Sequence, residues 1–158
     1  MLRMTKLQWL VIGTLAVIGV LIYIAPHSGA IEAKEVVVDE TDHLIDSAIT
    51  LTRGENPMAG IMLMRQVLEK EPNNVRAQFQ MGMFSLQSGQ YEKAVERFTK
   101  VKALDPERIE TLLYMGHAYA ELGQSDKAIE HFETYKTYLT SEEDLQEVDG
   151  YINELKNL

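Results

Sequence analysis

Two regimes of hydrophobicity divide the chain. Residues 7–25, LQWLVIGTLAVIGVLIYIA, hold no charge and few polar atoms, whereas from about residue 41 apolar side chains mix with charged ones at helical spacing. Within the second regime the small and aromatic positions repeat. Gly82, Ala94 and Phe98 return at Gly116, Ala128 and Phe132, and Pro72 returns at Pro106, each 34 residues on. A fixed period of that length predicts helical hairpins stacked into a solenoid, each burying its apolar face against the next.

The unit is clearest from Val75 to Arg108, VRAQFQMGMFSLQSGQYEKAVERFTKVKALDPER, with a turn at Ser88 to Gln90 and Asp105-Pro106 at its close. Glycine at Gly82 and Gly116 lets a partner helix approach closely. Ala94 and Ala128 supply the matching small positions of the second helix, and Phe98 and Phe132 fill the space between hairpins. A weaker copy precedes these, in which Leu44, Ala48, Leu51, Gly60, Met64 and Val67 fall on the same positions; its second helix is expected to start at Pro57, since proline suits the first helical turn. After the third copy Thr140 stands where proline is expected. Ser141-Glu142-Glu143-Asp144 then reads as a capping box that opens a last helix, about Glu142 to Asn157.

These residues resemble the tetratricopeptide repeat (TPR), over roughly Thr41 to Leu139. The resemblance implies an all-α solenoid of about three hairpins and a C-terminal capping helix. The expected organisation is a basic tip 1–6, a transmembrane anchor 7–25, a linker 26–40, repeats at 41–74, 75–108 and 109–141, and a cap at 142–158. Two residues depart from the family pattern: Gln78 and Ser85 replace large side chains in the first helix of the middle repeat, with Phe84 next door to fill part of the gap.

The apolar stretch 7–25 would span about 28 Å as a helix, close to the ~30 Å of a bilayer's hydrocarbon core. Trp9 and Tyr23 sit near its ends, where interfacial rings are favoured. A cleaved signal peptide is the competing reading, with Ser28-Gly29-Ala30 as small residues at a cleavage site, but the stretch exceeds the usual signal core of about 7–15 residues. Arg3 and Lys6 precede the span, while Glu32, Glu35, Asp39, Glu40 and Asp42 follow it against a single Lys34. The positive-inside rule therefore predicts an N-terminus in the cytoplasm and a repeat domain across the cytoplasmic membrane, in the periplasm of a Gram-negative cell.

Formal charge narrows the partners. It is −9 overall, and −11 once Arg3 and Lys6 are set aside. Such a surface opposes nucleic-acid binding, which needs basic patches, and favours neutral or basic partners. The chain has no cysteine, which fits an oxidising compartment and rules out lipid attachment through one. His27, His43, His117 and His131 show no pair at metal-ligand spacing on one helical face. No phosphate loop, nucleophile elbow or Cys-based centre is present, so neither catalysis nor a cofactor is expected.

The TPR resemblance implies a peptide groove lined by the first helix of each repeat, at Ile45, Ile49, Phe79, Met83, Leu86, Leu113, Tyr114 and His117. Phe79, Met83 and Leu86 form an apolar stripe opposite the core face of Met81, Phe84 and Ser85, and a helix apolar all round must be covered on both sides. The cover could be a partner, or the capping helix through Leu145, Val148, Ile152 and Leu155. Six methionines of the repeats, Met58, Met62, Met64, Met81, Met83 and Met115, are expected to be mostly core, with Met83 facing the groove. The Lys, Asn and Arg set with which some TPR proteins clamp a carboxylate is not apparent; Asp42, Asp46, Glu110 and Glu121 stand nearby instead. A membrane-anchored adaptor or assembly factor that binds a protein or peptide is the leading expectation. The alternative is a structural subunit that self-associates or sits fixed in a membrane complex. Similar layouts occur in factors that present apocytochromes for haem attachment and in organelle import receptors, an analogy of fold alone.

Overall fold

The computed structural model describes residues 40–54 and 56–158, which carry seven α-helices and, among those residues, no strand. They are α1 Glu40–Arg53, α2 Pro57–Lys70, α3 Val75–Gln87, α4 Tyr91–Leu104, α5 Glu110–Glu121, α6 Ser125–Lys136 and α7 Glu142–Lys156. The expected tip, span and nearly all of the linker lie outside the described residues. No helix among the described residues is long and apolar enough to cross a membrane.

Local chemistry sets the helix ends. Pro57 opens α2, where a missing N–H costs nothing, and Asn56 Oδ1 accepts from the Ala59 amide at 3.3 Å. Asn74 Oδ1 does the same for α3 through the Ala77 amide at 2.9 Å. Ser141 Oγ receives the Asp144 amide at 3.5 Å, and three acidic residues in the first turn of α7 suit the helix dipole. Helices α3 and α5 end alike. Gly89 and Gly123 take φ of 72° and 69°, and the Gln90 and Gln124 amides donate back to the Ser85 and Tyr119 carbonyls. That six-to-one closure needs a left-handed residue, which glycine adopts without a Cβ clash.

The helices pair as α1 with α2, α3 with α4 and α5 with α6, and α7 lies on α6. Across repeats the first helices pack on one another, α1 on α3 and α3 on α5, and no comparable packing joins α2, α4 and α6. The first helices thus form the inner layer of the stack and the second helices the outer layer, the TPR-type arrangement that the period implied.

Close approach explains the periodic glycines. A Cβ on Gly82 would lie 2.7 Å from the Phe98 ring, and one on Gly116 would lie 2.5 Å from the Phe132 ring. Each phenylalanine therefore uses the glycine of its own repeat as a seat while its other face meets the next repeat. At Gly60 the added atom would meet the Ala48 carbonyl at 2.5 Å, backbone against backbone. Gly150, at the equivalent period, has nothing within 4 Å, which accounts for how little of the motif surrounds it.

Three apolar clusters follow the stack. Ile45, Ala48, Ile61, Met64, Val67, Ala77 and Met81 form the first; Ala94, Phe98, Met115 and Ala118 the second; Ala128, Phe132, Val148 and Ile152 the third. The methionines divide more evenly than expected. Met64, Met81 and Met115 are buried and Met83 is half-buried, but Met58 and Met62 lie on the outer face of α2, 65% and 56% exposed.

Candidate functional site: the inner face of the helical stack

Three stretches of distinct chemistry succeed one another along the inner layer. At the first, Arg76 of α3 reaches back to Asp42 of α1, Nη1 to Oδ1 at 3.2 Å, and makes a short contact with Asp46. The hydrogen bond to Asp46, more than the one to Asp42, raises the guanidinium pKa above its already high value. All three side chains are well exposed, so the network contributes little stability. Its consequence is chemical: the cation at this end of the groove is already engaged by two carboxylates. This arginine was missed in the sequence although it stands 34 residues after Asp42, at the same position of the next repeat.

The middle stretch is aromatic. Phe79 meets Phe98 edge-on at 5.7 Å and Tyr114 at 5.6 Å, while Phe98 and Tyr114 stack at 5.8 Å. Arg108 lies over the Phe79 ring, 5.2 Å from its centroid, while its Nε bonds Asp105 at 3.2 Å. Met83 and Leu86 pack on the same cluster. The apolar stripe Phe79, Met83 and Leu86 is therefore covered in large part by the following repeat. It is not covered by α7, whose Val148, Ile152 and Leu155 lie against Ala128 and Phe132. A middle repeat has neighbours on both sides, which is why its first helix is apolar nearly all round.

At the far end His117 sits between two rings, 5.1 Å from Phe132 and 4.7 Å from Tyr151 of α7. Beside it a cavity of about 440 Å³ opens between α5, α6 and α7. Its walls join Phe132, Tyr151, Ala120 and Leu155 to the carboxylates of Glu121 and Glu154. Glu121 also holds the Tyr91 hydroxyl, which raises that phenol's pKa. Tyr151 donates its hydroxyl to Glu147 and is raised for the same reason.

Of the eight residues expected to line a groove, Ile45 is fully buried in the first cluster and faces no groove. The other seven, Ile49, Phe79, Met83, Leu86, Leu113, Tyr114 and His117, are half-buried. Ile49 packs on the first cluster, Phe79, Met83, Leu86 and Tyr114 on the second, and Leu113 on the third. Only His117 borders the cavity. Tyr151 and Glu154 are not evident from the sequence, where the side of α7 that draws notice is the apolar one of Leu145, Val148, Ile152 and Leu155. Yet Tyr151 stands 34 residues after His117, at the same repeat position.

Burial lowers the pKa of His117, against the opposing pull of Glu147 and then Glu121, and burial followed by Lys102 lowers that of His131 despite Glu130. Both are harder to protonate in the folded chain than in the unfolded one. The unfolded chain takes up these protons first as pH falls through about 6.5, so the stability they permit is present above that value and is lost below it. A lower urea midpoint is expected at pH 5.5 than at pH 7.5, with a smaller difference in His117→Gln. Equal midpoints in the wild-type chain would show that neither histidine is desolvated in the fold. Among the described residues no group of three His, Asp or Glu is placed to hold a metal ion.

Comparison with solved structures agrees with the helical-repeat architecture. A structure named MamA AMB-1 is similar at 23% identity with a TM-score of 0.62, covering 73% of this chain and 73% of that one. A MamA RS-1 double mutant aligns at 21% identity and a TM-score of 0.56, over 75% of this chain and 76% of that one. MamA MSR-1 aligns at 19% and 0.55, over 75% and 78%. At such identities the likeness is one of fold. A comparison with curated protein sequences finds no match. The family model for regulator of microtubule dynamics protein 1-3 matches residues 75–157, just over half of the 158, from the first helix of the middle repeat to the end of α7. The chain belongs to the family described as regulator of microtubule dynamics protein 1-3.

Proposed function

We infer that this chain is a membrane-anchored adaptor that binds a protein or peptide along the inner face of its repeats, without catalysis. The observation that carries the reading is the cavity between α5, α6 and α7. There an aromatic and aliphatic wall meets Glu121 and Glu154, a combination suited to the stem and charge of a lysine or arginine side chain. The aromatic stretch around Phe79 continues the same face with apolar contact. The acidic net charge favours a basic partner at longer range. The family's description names regulators of a protein polymer, which supports a protein-binding role over an enzymatic one.

The anchor rests on the uncharged stretch 7–25, and the orientation on Arg3 and Lys6 before it against the acidic residues after it. By this reading the N-terminus is cytoplasmic and the repeats lie across the membrane. The family description favours a second arrangement, because microtubules are cytosolic polymers and a repeat unit acting on them would face the cytosol. The chain has no cysteine, so one introduced thiol reports the side unambiguously. Glu107→Cys, in the exposed turn between α4 and α5, is expected to react with a membrane-impermeant maleimide on intact cells. Labelling only after permeabilisation would reverse the orientation. Cross-linking the full chain in native membranes is expected to capture a partner other than the chain itself. Recovery of nothing but self-linked chains would overturn the adaptor reading in favour of a self-associating structural subunit.

A further inference from the structure

The outer layer carries chemistry opposite to that of the inner face. Where α2 meets α3 the packing is markedly thinner than where α4 meets α5, and the cause is in the sequence. Gln78 and Ser85 occupy buried positions where this repeat ordinarily places large side chains. Two clefts of about 380 and 240 Å³ open at this junction, sharing Arg65 of α2 and Arg97 of α4. Lys100 borders the first and Lys93 the second.

The hydrogen bonds that hold these cations go to neutral groups. Gln78, only 2% exposed, donates Nε2 to the Pro72 carbonyl at 2.7 Å and accepts Arg97 Nη1 on its Oε1 at 2.7 Å. Lys100 donates to the same Pro72 carbonyl at 2.7 Å, and Lys93 to Gln90 Oε1 at 2.7 Å. Every one of these partners is neutral. Among the described residues the ion pairs involve Arg76, Arg108, Lys136 and Lys156, so Arg65, Lys93, Arg97 and Lys100 take part in none. In a chain with 24 acidic and 15 basic residues, the two clefts of this junction gather four cations that take part in no ion pair.

We propose that this inter-repeat cleft on the outer face is a second binding site, which takes a carboxylate-rich segment of a protein partner. Lys93, Arg97 and Lys100 stand at i, i+4 and i+7 on α4 and so form a row about 10 Å long. Carboxylates on one side of an extended chain repeat every ~7 Å, so an acidic segment lying along the row meets more than one cation. Arg97, held through Nη1 by a neutral amide, keeps Nη2 and Nε for a carboxylate. Glu69 and Glu96 on the cleft walls and the net charge of the whole chain work against a densely charged polyanion. The partner that suits the outer face is thus acidic, while the one that suits the inner face is basic.

The test uses the full chain in a neutral detergent, with a fluorescein-labelled octapeptide of alternating Glu and Gly followed by anisotropy at low salt. Saturable binding is expected, weakened tenfold or more in Arg65→Glu with Lys93→Glu. Both side chains are exposed and lie outside the Gln78 network, so the fold survives the change, as circular dichroism would verify. Glu121→Lys with Glu154→Lys is expected to leave this binding intact, which separates the proposal from the inner-face reading. Absence of binding, equal binding by the Arg65 and Lys93 variant, or displacement by millimolar inorganic phosphate would each overturn it, the last by revealing a simple anion site.

Discussion

Phe98→Ala is expected to cost about 3–5 kcal/mol, the range for truncating a fully buried phenylalanine where the surroundings relax only in part. The ring is 0% exposed and fills a site with walls from two repeats. Gly82 seats it from its own repeat, while Met115 and Ala118 of α5 close it from the next, and Phe79 and Tyr114 flank it at 5.7 and 5.8 Å. Little can move in to fill the space, since a side chain at Gly82 would be needed and there is none. A solenoid is stabilised by the interfaces between neighbouring repeats, so the loss falls on the coupling of the middle repeat to the third. In a domain whose whole stability is about 5–15 kcal/mol, the urea midpoint followed by circular dichroism should drop steeply and the transition should broaden or split. Phe132→Ala, at the junction with α7, removes a ring of nearly equal burial but leaves the coupling between the middle and third hairpins intact. A loss under about 1 kcal/mol for Phe98→Ala would mean that the repeats slide together when the ring is removed, and that the glycine seat is not rigid.

The same contacts change what a groove mutation can report. Phe79 and Met83 look from the sequence like free groove residues, whose truncation would weaken a complex and leave the helices undisturbed. In the fold both pack on the Phe98 cluster. Their truncation therefore damages the junction between repeats as well as the groove, and a lost partner would not distinguish the two. Residues of the cavity wall whose side chains are charged and exposed are the better probes.

What the sequence disclosed and what it hid follow from the kind of interaction involved. Glycine, alanine and phenylalanine at period 34 were legible because close packing admits few residue types at Gly82, Ala94 and Phe98, so the constraint is written in the residue itself. The ends of α3 and α5 were legible for the same reason, since a left-handed position selects glycine. The inner face was harder to read. Apolar character on the stripe of α3 is equally demanded by a ligand and by a neighbouring repeat, and the sequence alone cannot say which one supplies the contact. Arg76 and Asp42 form a pair only because the stack brings equivalent positions of successive repeats together. Comparing charged positions at the period, and not apolar ones alone, would have found them, and would have placed Tyr151 opposite His117. The cationic cleft was half legible: Gln78 and Ser85 stood out as departures, but the cations that face the resulting space come from two helices of different repeats and are hidden within a net charge of −9.

Reversing the two carboxylates of the inner cavity, Glu121→Lys with Glu154→Lys, is expected to reduce capture of the inner-face partner by tenfold or more. Both residues are exposed, and neither takes part in an ion pair among the described residues, so the fold loses little; the one contact given up is that of Glu121 with Tyr91. A basic side chain entering beside His117 meets two positive charges in place of two negative ones. The aromatic wall of Phe132 and Tyr151 remains in the variant, so apolar contact survives and only the charge recognition is reversed. A partner that binds by its charge is lost and its loss weakens as salt is raised, because screening shrinks the difference between the two forms. A partner retained equally by the variant at every salt concentration would be held by apolar contact alone, and the cavity between α5, α6 and α7 would not be where this chain reads its partner's charge.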